Sequence, residues 1–196
     1  MAVLTNLSVP TTSNTAPGTI MPKMQYRFRV SFGFDTSEVT TSNVVSVTRP
    51  TLSHDEVTLD TYNSRIYLAG KHTWEAVTIT IRDDVGNSVI KQIDNQMSNQ
   101  IDMVNQASPK AGGAYKFQTN IETLDGGNAE ATTLDKWELY GCYIQNVAYG
   151  ESNYATSEAQ IVTVTIRYDN AQHFAGTEEL FIEGNGNGSD QATANG

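Results

Sequence analysis

The chain has 196 residues, enough for one domain of about 150 residues with a sizeable core and loose ends. Its 38% hydrophobic and 17% charged residues leave a large share to Thr, Ser, Asn, Gln and Gly, a β-rich composition with wide polar surfaces that excludes a wholly disordered chain. The formal charge of −10 leaves no basic excess to displace counterions from a phosphate backbone, which argues against sequence-reading DNA binding.

That charge is uneven. Residues 1–50 hold four basic and two acidic residues, net +2, while residues 51–196 hold eight basic and twenty acidic residues, net −12. Such a surface repels phosphates over a Debye length of about 8 Å at physiological salt. Cys142 is the only cysteine, so no intrachain disulfide forms, and its apolar strand context reads as a buried structural thiol. The opening Met-Ala-Val-Leu-Thr-Asn lacks the charged and apolar regions of a signal peptide, and no run approaches the roughly 18 apolar residues of a spanning helix. The expectation is synthesis in a cytoplasm with no membrane partner, which makes the sequons at Asn6 and Asn187 chance matches.

In chain order, residues 1–23 read as an extended N-terminal arm rich in Ser, Thr, Asn and Pro. From Met24, Tyr26, Phe28, Val30, Phe32 and Phe34 alternate with polar residues, the clearest period-two strand in the chain. A polar stretch over 35–43 turns the chain, and Val44 to Thr48 forms a short strand stopped by Pro50. Val57 to Tyr62 and Arg65 to Ala69 are strands around an Asn63-Ser64 turn. Gly70 then breaks the ladder ahead of a strand from Trp74 to Arg82. Asp83 or Asp84 caps an amphipathic helix over about 84–106, with Val85, Val89, Ile93, Met97, Ile101 and Val104 on its apolar stripe and Ile90 and Met103 widening it. Ser108-Pro109 and Gly112-Gly113 end it.

Tyr115 to Leu124 is the next strand, closed by an Asp125-Gly126-Gly127-Asn128 turn. Leu134 to Val147 is long and apolar, and Gly141 within it marks a bulge or a close backbone approach. A connection over 149–157 leads to the final strand, Glu158 to Tyr168. Residues 171–196 read as a flexible Gly/Asn-rich tail. Seven or eight strands with one inserted helix predict a mainly β fold, an antiparallel β-sandwich or barrel with one flanking α-helix, over residues 24–170.

Chemistry is sparse. His54, His72 and His173 stand far apart in the chain without metal-ligand spacing. The pairs Asp55-Glu56, Asp83-Asp84 and Glu178-Glu179 are adjacent residues, which on a strand point to opposite faces, so capping and solvation explain them better than general acid–base work. No phosphate loop, nucleophile elbow, dinucleotide fingerprint or Cys-x-x-Cys pair is present, and no catalytic residue, cofactor or metal is expected. The strands alternate Phe with Arg or Ile with Thr and carry few Pro or Lys gatekeepers, so their edges call for protection. Pairing with copies of the same chain in a closed ring is one solution.

The order of these features resembles the tail tube proteins of contractile-tailed bacteriophages and, more distantly, the Hcp tubes of type VI secretion. The likeness rests on an aromatic-rich first strand, Arg49-Pro50, Asn63-Ser64-Arg65-Ile66, Ala69-Gly70, Trp74 with Val77-Thr78-Ile79-Thr80-Ile81, an acidic helix start at Asp83-Asp84, and the closing Ala159 to Asp169 stretch. The residue between Asn63 and Arg65, the long arm and the added tail depart from the pattern. The resemblance implies a virion tail subunit, six copies to a ring, and rings stacked into a hollow tube that conducts double-stranded DNA. A sheath, a tape measure protein, and baseplate and tail terminator proteins would be its partners. It places subunit contacts at Pro50, Asn63, Arg65, Gly70 and Trp74, and ring-to-ring contacts in loops 35–43 and 50–58. A bacteriocin or type VI secretion-like tube keeps the same fold. A reading from another class is a monomeric carbohydrate-binding β-sandwich using exposed Tyr and Trp.

Overall fold

The computed structural model describes residues 22–35, 39–107, 113, 115–126, 132–176 and 178–180. In chain order these form β1 (Phe28–Phe32), α1 (Val39–Ser42), β2 (Val44–Val47), β3 (Leu52–Asp60), β4 (Arg65–Trp74), β5 (Val77–Arg82) and α2 (Ser88–Gln100). Then follow β6 (Phe117–Leu124), β7 (Thr133–Ala148), β8 (Ile161–Arg167), β9 (Asn170–Ala175) and β10 (Glu178–Glu179). The fold is mainly β and antiparallel, as its alternating patterns predict.

The main sheet runs in the order β1-β6-β7-β8-β5-β2, with β9 also on β7 and β10 on β9. Its organiser is β7, 16 residues long. One side pairs with β6 from Leu124↔Thr133 to Phe117↔Cys142. The other side pairs with β9 and then β8 in nearly one line, Tyr140↔Asn170 leading to Tyr143↔Arg167. The ladder to β6 gains a residue on β7 between Leu139 and Cys142, where Gly141 adopts φ 66. A side chain there is doubly opposed, by the left-handed backbone and by the Asp169 carboxylate that a Cβ would strike.

Period two decides which side of each strand is dry. Val77, Ile79 and Ile81 of β5 and Val162, Val164 and Ile166 of β8 are buried, while their intervening threonines are half-buried. Val30 and Phe32 of β1, Ile121 of β6, and Leu139, Cys142 and Ile144 of β7 complete the core with Val89 and Ile93 of α2. Burial pushes the Cys142 thiol up to about 11, the property of an inert core cysteine.

The helix α2 is shorter than its apolar stripe. Asp84 stands in front of it and accepts a hydrogen bond from the Val89 amide at 3.0 Å, although the cap position itself is Asn87 at φ 54. Val85 lies outside the helix and is exposed. At the other end the Asp102 carboxylate accepts from the Val104 and Asn105 amides, a local turn that competes with further helix and leaves Met103 and Val104 exposed. The helix therefore stops at Gln100, well before Ser108-Pro109, and residues 108–112 lie outside the described residues.

Gln100 contributes something the pattern did not show. Its side-chain amide donates to the Ile144 carbonyl and accepts from the Ile144 amide, both at 2.9 Å. Ile144 lies beyond the last β6 partner, Phe117, so the glutamine stands in for a neighbouring strand.

Several boundaries differ from expectation. There are ten strands among the described residues and a second, four-residue helix, α1. The stretch 50–58, expected as a loop, is largely β3. Gly70 does not break the ladder: β4 continues to Trp74, and the interruption falls at Glu75 and Ala76. The chain also stays ordered in pairing beyond Asn170, because β9 extends the line of β8 along β7. The expected arm over 1–21, the turn residues Gly127 and Asn128, the two sequons and the tail over 181–196 lie outside the described residues.

Two measurements probe these features. Gln100→Leu strands the Ile144 amide and carbonyl, and is expected to cost about 1–3 kcal/mol in urea unfolding. The Asp84 carboxyl is held below its ordinary value of 3.8, first by the hydrogen bond from the Val89 backbone. Because the folded state is the more acidic, its contribution is full above that ordinary value and drains away as pH falls through the folded value. The stability gap between the parent and Asp84→Asn should therefore narrow in acid unfolding below 3.8 and stay constant above it.

Candidate assembly interface

Between β2 and β5 the chain leaves the sheet as a long hairpin. Among the described residues β3 and β4 pair only with each other, from Leu52↔Trp74 at the root to Asp60↔Arg65 at the tip. The tip is held by the Thr61 amide and hydroxyl, both donating to the Ser64 carbonyl, at 2.8 and 2.7 Å. An exposed Arg65–Asp60 ion pair at 2.8 Å closes it, worth about 0–1 kcal/mol.

The register defines two faces. Val57↔Leu68 and Leu59↔Ile66 are direct cross-strand pairs, so these four apolar side chains share one side of the ribbon. Each remains 45–49% exposed. The opposite side carries Glu56, Thr58 and Tyr67. A polar ribbon would need no cover, but this one presents a contiguous apolar strip to water.

The residues singled out from the sequence gather on this hairpin. Pro50 is half-buried at its entry, Asn63 is exposed in the tip turn, and Arg65 opens β4 in its ion pair with Asp60. Gly70 lies at a bulge: between the His54↔His72 and Glu56↔Ala69 pairs, β4 has one residue more than β3. A Cβ on Gly70 would lie 2.9 Å from the Asp55 carbonyl oxygen and 3.3 Å from the Asp55 and Val57 side chains. The close approach at Gly70 is thus to its own partner strand. Trp74 is buried, with its ring against Trp137 at 6.3 Å and Tyr168 at 5.8 Å between centroids. It anchors the hairpin to the core. With Trp74 buried and Trp137 stacked on His173, neither tryptophan offers a free platform for a sugar.

A second surface was not foreseen. The main sheet curls so that the free edges of β1 and β2 face each other across a cleft of about 990 Å³. Lys23, Arg27, Arg49 and Arg82 line it, with no acidic side chain among the lining residues. Arg27 donates to the Asp125 carbonyl at 2.5 Å, Arg49 reaches the Thr123 hydroxyl at 3.4 Å, and Lys23 lies 3.4 Å from Asp135. Three of these four cations belong to the basic first fifty residues, so the charge split is the signal that could have found this place. Of the expected loop 35–43, residues 36–38 lie outside the described residues; the buried Asp35 carboxylate accepts from the Thr40 and Thr41 amides at the start of α1.

No group of three or more His, Cys, Asp and Glu side chains gathers as a metal centre among the described residues.

Neither a protein-family model nor a curated protein sequence matches this chain. Solved structures do. A chain of the sheath–tube complex of the PVC extracellular contractile injection system, in its extended state, matches with a TM-score of 0.60 at 16% identity, covering 79% of this chain and 92% of that one. A chain of the PVC sheath/tube terminator matches at 0.64 and 16% identity over 81% of this chain and 100% of that one. A chain of the tube-terminating cap of the anti-feeding prophage matches at 0.63 and 13% identity over 81% and 94%. The chain therefore shares its fold with chains of these contractile injection systems, in agreement with the resemblance read from the sequence.

Because the hairpin pairs only with itself, Gly70→Val should open it without unfolding the domain. The expected result is loss of hydrogen-exchange protection along β3 and β4, with global unfolding changed by no more than about 0.5 kcal/mol.

Proposed function

We propose that this chain is a non-enzymatic tube subunit of a contractile, phage-tail-like machine. In this reading six copies close a ring, and rings stack into a hollow tube within a sheath. The observation that carries it is the projecting hairpin with its uncovered Val57, Leu59, Ile66 and Leu68 strip, on a fold shared with components of such machines. An isolated two-stranded ribbon is marginal in water, so a long one that offers an apolar face gains most from a neighbouring subunit. The edges of β1 and β2 have the same need, because their outward backbone groups have no strand partner among the described residues.

Rigidity is the function. Repeated apolar and backbone contacts stiffen a tube without any chemistry, and the acidic balance of the chain disfavours adhesion to a passing phosphate backbone. As the tail tube of a phage, assembled in a host cytoplasm and carried in the virion, it would hold a tape measure protein and then conduct double-stranded DNA. It would meet baseplate and terminator proteins at its ends. Pro50, Asn63, Arg65 and Gly70 contribute to subunit contacts through the hairpin they shape, and Trp74 through the root it fixes. A second reading, the tube of a bacteriocin or type VI secretion-like machine, is favoured by the likeness to a chain of an extracellular contractile injection system.

Electron microscopy of the purified protein, with a baseplate template added, should show rings or tubes with sixfold end views. Leu59→Ser combined with Ile66→Ser should abolish them while leaving far-UV circular dichroism and the unfolding midpoint unchanged. Tubes formed equally well by the double variant would refute the hairpin's role.

A further inference from the structure

His54 and His72, eighteen positions apart in the chain, stand directly opposite each other on β3 and β4, with ring centres 6.2 Å apart and both side chains exposed. The bulge at Gly70 creates this pair. On the tip side the register runs through Val57↔Leu68 and Asp60↔Arg65, and on the root side through Leu52↔Trp74 and Ser53↔Thr73. Extended without the bulge, the tip-side register would set His54 against Lys71 and Ser53 against His72. One extra residue in β4 therefore replaces a His–Lys neighbour pair with two facing imidazoles.

We propose that His54 and His72 form a two-histidine site for a first-row divalent cation of borderline softness, of the Zn²⁺, Ni²⁺ or Cu²⁺ class. With metal–nitrogen bonds of about 2.0–2.1 Å, one ion held by two imidazoles sets the ring centres about 5–6.5 Å apart, a range that includes the observed spacing. Imidazole suits these ions, whereas Ca²⁺ and Mg²⁺ seek oxygen ligands. Two protein ligands leave the remaining positions to water, so the ion is exchangeable and open to a donor from outside the chain.

The third histidine and the cysteine are withdrawn from competition. His173 is stacked on Trp137 at 4.0 Å and engaged by Asp135, and Cys142 is buried. The ion would bridge β3 and β4 beside the bulge, where the ladder is weakest. Because β3 carries no extra residue, His54 shares a face with Glu56 and Thr58, opposite Val57 and Leu59. The site therefore does not depend on whether the apolar strip is covered, and it stands or falls separately from the tube reading.

The test is calorimetric titration of the full-length protein with ZnCl₂ near neutral pH, paired with Cu²⁺-induced broadening of histidine ring resonances. The expected result is saturable binding of one ion per chain, with broadening of His54 and His72 ahead of His173. His54→Gln and His72→Gln, both at exposed positions, should each weaken binding by roughly tenfold or more. Zn²⁺ should also slow amide exchange at 53–57 and 68–73 in the parent alone. Absence of saturable binding, or binding unchanged in either variant, overturns the proposal.

Discussion

The backbone hydrogen bonding of β7 is the constraint on which the other elements depend. This strand meets β6 along one side and both β8 and β9 along the other, so three of the seven pairings described in the main sheet pass through it and join its two halves. It meets these demands only by being irregular, with an extra residue at Gly141 toward β6 and another near Gln145 toward β8. Bulges of this kind bend a strand and raise its twist. The curl they support brings β1 and β2 to face each other without pairing, and Gln100 fills the place of a strand at Ile144.

This arrangement divides the molecule into a part that is complete and a part that is not. The interior is finished, with the inward residues of β1, β5, β6, β7 and β8 sealed by one face of α2. The hairpin is not finished. Its ladder is closed and its tip is pinned, yet half the surface of each residue in its apolar strip remains wet. Trp74 joins the two parts, since it ends β4 and packs between Trp137 and Tyr168. Fixing the root of a ribbon while leaving its face uncovered suits a contact made after folding.

Electrostatics follows the same division. Four of the twelve basic residues line the cleft between the two free edges, with no acidic side chain among the lining residues, although the chain as a whole is acidic. A surface with opposite charges in separate places attracts copies of itself in preferred orientations, and the effect weakens with salt. The facing histidines on the polar side of the hairpin are a different kind of feature. They arise from backbone register and not from charge balance.

What the sequence determined by itself is local and periodic. Alternation over Phe28–Phe32, Val77–Arg82 and Ile161–Arg167 named the strands and their inward residues, because side chains on a strand must alternate whatever lies next to them. The i+4 stripe named α2, and the apolar setting of Cys142 announced its burial. Tertiary structure alone decided which apolar faces are covered. Val57 and Leu59 alternate as Ile79 and Ile81 do, but only the latter find a neighbouring strand and a core. It decided where α2 ends, since Val85 and Val104 continue the stripe without a surface to meet. It also turned Gly70 from an expected break into a bulge, and through that bulge brought His54 to His72. Periodicity is a property of neighbours in the chain, whereas coverage and register depend on strands that meet across long sequence separations. A single local pattern is compatible with both outcomes, and only the assembled sheet selects between them.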